Sequence, residues 1–232
     1  MAEREVALIV GAGQGLSGAL ARLLAKEGMS LALAARDTAK LEALAAETGA
    51  RTYACDAGDK AQVEALFTAL DGDLGTPDLV VYNPSARSRG PLVELDPDEV
   101  EHALRITCFG GFLVGQAAAK RMLERGRGSI LFTGASASVK GYAQSAPFAM
   151  GKFGLRGLVQ SMARELAPKG IHVAHFVIDG GIAADHRPGR EAEEGDRWLR
   201  PEAIAESYLH VHRQHRSAWT WEVELRPWVE NF

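Results

Sequence analysis

Val6-Ala7-Leu8-Ile9-Val10-Gly11-Ala12-Gly13-Gln14-Gly15-Leu16-Ser17-Gly18-Ala19-Leu20-Ala21-Arg22-Leu23-Leu24 decides the fold. The five apolar residues Val6–Val10 read as a buried parallel strand. Gly11 to Gly15 break it. Leu16, Leu20, Leu23 and Leu24 then recur at helical spacing. Strand, glycine-rich turn and helix together form the opening unit of a dinucleotide-binding fold. Glycines let backbone approach a pyrophosphate, and the helix start offers N–H groups and the positive end of its dipole.

The same alternation continues outward. Strands are expected at 30–35, 51–55, 78–82, 129–132, 171–178 and 217–225, with helices at 39–47, 60–70, 100–125, 148–166 and 201–212 between them. Gly110-Gly111 is expected to interrupt the helix over 100–125, and Trp219, Trp221, Val223 and Leu225 to share one strand face. The pattern predicts an α/β, single-domain, Rossmann-like doubly wound parallel sheet of about seven strands over residues 1–232. Residues 182–200 are irregular and polar, and read as a mobile segment covering the substrate.

Composition narrows the function. The chain has 232 residues, a formal net charge of −4 and two cysteines. A broad basic nucleic-acid surface is not expected, and the apolar runs are too short for a membrane span or leader. Cys55 and Cys108 do not make a disulfide framework and read as reduced core thiols of a cytoplasmic protein. His210, His212 and His215 lack the spacing of a metal site, so no metal is expected. His172 and His175 lie three apart in a strand and face opposite sides as structural residues.

In such sheets ligands bind beyond the C-terminal strand ends. Gly11 to Gly15, Arg36, Asp56, Asn83, Thr133 to Ser136 and Asp179 to Gly181 gather there. Ala34-Ala35-Arg36 ends its strand without the acid that binds ribose hydroxyls in NAD-preferring folds, and an arginine accommodates a 2′-phosphate. NADP(H) is therefore favoured over NAD(H). Asp37 is positioned either to pair with Arg36 or to point away.

With these residues placed, the chain resembles the short-chain dehydrogenase/reductase family over nearly all its length, in the manner of an uncharacterised bacterial branch with IHVAHFVIDG and SAWTWEVELRPWVENF in its C-terminal half. The family's TGxxxGxG reads Val10-Gly11-Ala12-Gly13-Gln14-Gly15-Leu16-Ser17, with Ser17 in place of the third glycine, where it threatens to crowd the turn. The resemblance implies cofactor contacts at Gly11, Gly13, Gln14, Gly15, Leu16, Arg36, Asp56, Ala57, Asn83, Lys152 and Gly180. The catalytic Asn, Ser, Tyr and Lys fall on Thr107, on Ala135 or Ser136, on Phe148 and on Lys152. Phe148 occupies the acid/base position but carries no exchangeable proton. Tyr142, Ser145, Lys152, water or the substrate itself remain as proton sources. The expected activity is hydride transfer to or from a small carbonyl, alcohol or conjugated substrate with atypical proton donation. The alternative is a non-catalytic or weakly catalytic cofactor-binding sensor or partner protein. The resemblance also implies a homodimer or homotetramer through the two long helices, with Trp228 and Phe232 of the tail as a further contact.

Overall fold

The computed structural model describes residues 4–184, 189–191 and 195–230. Seven residues of the predicted substrate-covering segment, Arg187 among them, and the tail residue Phe232 lie outside the described residues. A seven-stranded parallel sheet runs in the order β3-β2-β1-β4-β5-β6-β7. Its strands are β1 (Val6–Val10), β2 (Ser30–Ala35), β3 (Arg51–Ala54), β4 (Leu79–Tyr82), β5 (Gly128–Thr133), β6 (Ile171–Ile178) and β7 (Glu222–Leu225). The helices are α1 (Leu16–Lys26), α2 (Glu42–Thr48), α3 (Lys60–Asp73), α4 (Pro97–Leu104), α5 (Gly110–Arg125), α6 (Ala146–Leu166) and α7 (Pro201–His212).

Every residue of β1, β4 and β6 is buried, as expected for mainly apolar strands with helices on both faces, the two histidines of β6 included. One core packs α3, α5 and α6 on Leu8, Val10, Val80 and Tyr82. The other packs α1 and α7 on Ala7, Ile9, Leu79 and Val81. The order reverses between β1 and β4, and the crevice at that switch point is where such sheets bind ligands.

Two local expectations are corrected. The helix over 97–125 is interrupted before the glycine pair, at a π-helical turn over Arg105–Phe109. Gly110 and Gly111 serve close packing instead. A Cβ on Gly110 would strike the Tyr82 hydroxyl and the Ala57 carbonyl, and one on Gly111 would lie 2.5 Å from Leu155. The Tyr82 hydroxyl donates to the Ile106 carbonyl within the widened turn. The last strand is shorter than its alternation suggested and begins at Glu222. Trp219 stands outside it, stacked on His172 with ring centroids 4.8 Å apart. The histidines of β6 do diverge: His172 meets the Thr220 carbonyl, while His175 meets Ser138 and Glu222.

Candidate active site

A cavity of about 600 Å³ lies beyond the C-terminal ends of β1, β2, β3 and β4. Gly11, Gly13, Gln14, Arg36, Asp56, Ala57 and Asn83 line it together. Gly11 has φ +79°, and a Cβ there would lie 2.7 Å from the Pro84 nitrogen, so the turn needs glycine. Added Cβ atoms at Gly13 and Gly15 would meet nothing within 4 Å, which keeps the turn open on the cavity side. Gly15 is the N-cap of α1 and supplies no side-chain cap, and the first turn has no acid. Those helix-start N–H groups and the dipole suit a bound anion. Leu16 is buried beneath the turn.

Ser17 does not crowd this turn. Its side chain is 2% exposed and points inward. Its hydroxyl donates to the Gly11 carbonyl at 3.0 Å and accepts from Asn83 Nδ2 at 2.8 Å. The serine therefore ties the turn to the end of β4, a role that a glycine cannot fill.

Arg36 is exposed at the cavity rim. Asp37 turns away from it: one carboxylate oxygen lies 3.1 Å from Lys40 Nζ, and the other accepts from the Ala39 N–H. That pairing holds the Asp37 carboxyl below its ordinary range. Lys40 lines the cavity beside Arg36, and His102 and Ile106 close its far wall. Sequence reasoning missed these three. Asp56 Oδ1 accepts from the Gly58 N–H at 2.9 Å, which fixes the carboxylate at the cavity edge.

The predicted catalytic positions Thr107, Ser136, Phe148 and Lys152 do not line this cavity. Lys152, on α6, is 2% exposed and donates to the Thr133 carbonyl at 2.7 Å. Burial, with a smaller contribution from Arg87, pushes its ammonium down to about 7. Thr107 is fully buried in the π-helical turn, and its hydroxyl accepts from the Ala86 N–H at 3.1 Å. A Cβ on Gly151 would sit 2.9 Å from Thr107 Cβ, so helix α6 packs directly against this turn. Phe148 is 6% exposed. The guanidinium carbon of Arg87 lies 4.0 Å above its ring centroid, and Lys152 Nζ lies 5.9 Å from the same centroid.

Ala135 and Ser136 are both half-buried at the end of β5. The bonded hydroxyl there belongs to Ser138. It accepts from the Ala135 N–H at 3.2 Å and lies 3.3 Å from His175 Nε2. His175 Nδ1 lies 3.1 Å from Glu222, which also receives two bonds from Arg156. Burial pushes the His175 imidazole down to about 4 despite Glu222. Gly180 does not line the cavity: Pro227 and Leu199 cover the space above it. Tyr142 is largely exposed, and Ser145 is the N-cap of α6 without a side-chain bond. Cys55 is buried and Cys108 only half-buried, both unpaired. Among the described residues, no group of three His, Cys, Asp or Glu is placed to hold a metal, and no helix is long and apolar enough to cross a membrane.

A family model described as "short chain dehydrogenase" matches residues 5–194. A D-threitol dehydrogenase of Mycolicibacterium smegmatis is 33% identical over 174 residues, covering 73% of this chain and 67% of that protein. The crystal structure of a short-chain dehydrogenase from Rhodopseudomonas palustris superposes with TM-score 0.83 at 35% identity, covering 97% of this chain and 99% of the other. That of a metagenomic short-chain oxidoreductase in complex with NADP superposes with TM-score 0.84 at 28% identity, covering 96% and 97%.

Proposed function

This chain belongs to the short-chain dehydrogenase family of NAD(P)-dependent oxidoreductases, and from that premise we propose that it is an NADP(H)-dependent oxidoreductase acting on a small carbonyl, alcohol or conjugated substrate without the usual tyrosine acid. The observation that carries the reading is the cavity that joins the glycine turn, Arg36, Asp56 and Asn83. The open turn and the uncapped start of α1 fit a pyrophosphate. Arg36 and Lys40 stand where a 2′-phosphate would reach, and Asp37 is drawn off by Lys40. Asp56 and Ala57 offer polar groups to the adenine end.

A bound nicotinamide gives or takes the hydride. The remaining work falls to this chain's own residues. Lys152, whose Nζ is held on the Thr133 carbonyl, is assigned to the ribose hydroxyls. Phe148 excludes water from that spot and transfers nothing. An ammonium pushed down to about 7 by burial can give up a proton near neutrality, so Lys152 combines ribose binding with the capacity to act as an acid. The second reading, a cofactor-binding sensor without turnover, draws on Phe148 and Thr107, which lack the family's tyrosine hydroxyl and asparagine amide.

We place the protein in the cytoplasm and assign it a small-molecule substrate. We also infer a homodimer or homotetramer through α5 and α6. Phe109, Phe112, Met150 and Phe153 are large apolar residues at least 40% exposed on that part of the chain, more than an isolated surface normally shows.

Titration of NADPH and NADH, read by nicotinamide fluorescence, tests the central reading. NADPH should bind at least about 10-fold more tightly, and Arg36→Glu should abolish the difference. Equal affinities would remove the 2′-phosphate assignment. Binding of neither cofactor to folded protein would overturn the oxidoreductase reading and the sensor reading alike.

A further inference from the structure

We propose that the substrate carries a carboxylate and that Arg87 is its anchor; this rests on the oxidoreductase reading of the same cleft. Asn83, Pro84, Ser85 and Ala86 line the cavity wall in sequence, and Arg87 follows at its end. The loop is held on both sides. Ala86 bonds Thr107, Ser88 Oγ donates to Glu99 at 2.7 Å, and the Gly90 N–H donates to the Gln144 carbonyl. Arg87 is thus delivered to Phe148 by a supported loop.

The ring of Phe148 then orients the guanidinium. A guanidinium stacked on an aromatic face directs its N–H groups in its own plane, away from the ring. That planar fork matches the two oxygens of a carboxylate. Arg87 has a further interaction within the chain, so an incoming carboxylate shares or exchanges that contact. Lys152 Nζ lies 5.9 Å from the same ring centroid.

Charges at the neighbouring strand end are balanced within the chain. Asp179, at the end of β6, is matched by Lys140 at 3.3 Å and Arg226 at 2.9 Å, so its charge is neutralised. Beyond it, Arg190 and Arg197 lie 5.3 and 5.1 Å from the ring centroid of Trp198, whose indole occupies the space above Gly181. Carboxylates accompany these arginines: Glu191 accepts from the Gly189 N–H at 3.1 Å and Asp196 pairs with Arg200 at 3.2 Å. A carboxylate on the substrate would meet the Arg87 guanidinium beside Phe148. It would also explain an arginine at a position flanking a ring that has lost its hydroxyl.

The test uses oxalate as a carboxylate probe and oxamide as its neutral counterpart of the same shape, added to protein saturated with NADPH and followed by calorimetry. Oxalate should bind at least about 10-fold more tightly than oxamide. Arg87→Gln should weaken oxalate by about 10- to 100-fold and leave the NADPH affinity unchanged. Arg87→Lys keeps the charge without the fork and should fall between. Equal binding of oxalate and oxamide, binding of neither, or undiminished oxalate binding to folded Arg87→Gln would each overturn the anchor. Failure of NADPH itself to bind would instead remove the oxidoreductase reading, and oxalate titrated onto the cofactor-free protein would still decide the anchor.

Discussion

Acidification should destabilise this protein through one buried imidazole. The partners of His175 fix its neutral tautomer. Nδ1–H donates to Glu222, and Nε2 accepts from the Ser138 hydroxyl, which itself accepts from the Ala135 N–H. A second ring proton would face the Ser138 hydroxyl and remove its acceptor. The folded state therefore takes up this proton at about pH 4 instead of the ordinary 6.5, with burial as the main cause. Above 6.5 both states are neutral and the contribution to stability is fully present. As pH falls through 6.5 the unfolded chain protonates first, and stability is lost until the folded imidazole also titrates. The difference of about 2.5 units corresponds to about 3 kcal/mol, most of it gone by pH 4.5. That is a large part of the 5–15 kcal/mol typical of a domain. Urea unfolding at fixed protein concentration from pH 7.5 to 4.5 should show it. His175→Asn, although less stable at pH 7.5, should lose about 2–3 kcal/mol less across that range than the parent protein. Equal pH slopes for the two proteins, or an NMR titration placing folded His175 near 6.5, would refute the reasoning.

Three further outcomes are expected. Ser17→Ala leaves the Asn83 amide and the Gly11 carbonyl short of a partner, and should cost about 1–3 kcal/mol in urea unfolding; an unchanged midpoint would show that the tie carries no weight. Phe148→Tyr places a phenol beside Lys152 and should raise the rate of ketone reduction by up to about 10²-fold, with a new ionisation in the pH–rate profile. No gain with cofactor bound would mean that the site no longer presents a substrate oxygen to residue 148. Phe112→Glu combined with Phe153→Glu should turn the assembly into monomers by light scattering; an unchanged mass would move the interface elsewhere.

The local parts of the fold and site were legible because their signals are local. The turn at Gly11–Gly15 lies between an apolar run and a helical stripe, and six of the seven predicted strands match within one or two residues. The π-helical turn was not legible. It widens the helix over only five residues, too few for hydrophobic spacing to register, while the adjacent glycines drew the break toward themselves. Lys40 was missed because its importance depends on Asp37 turning toward it and away from Arg36. The Ser138–His175–Glu222 chain was hidden for a different reason. Its members are 37 and 47 residues apart, and only the sheet order β5-β6-β7 brings them together. Ser136 looked like the useful hydroxyl from its place in the family pattern, but the backbone after β5 turns Ser138 inward.

The replaced residues form a consistent set on the proposed reading. Phe148 removes the proton donor, a loss worth roughly 10²–10⁴ in rate where a donor is needed. Yet the residues that would surround the missing hydroxyl remain closely supported. Lys152 stays fully buried on the Thr133 carbonyl, Thr133 receives the Tyr208 hydroxyl at 2.9 Å, and Thr107 is clamped between Ala86 and Gly151. Burying an ammonium with one carbonyl partner is costly, as its depressed titration records. An apolar residue of similar length would pack there more cheaply, so the buried amine is kept for a ligand, on the proposed reading the cofactor ribose. Positive charge at Arg87 can stabilise a developing oxyanion directly, and such stabilisation is commonly the larger share of catalysis. On the proposed reading the same groups would hold the negative charge of a substrate during turnover.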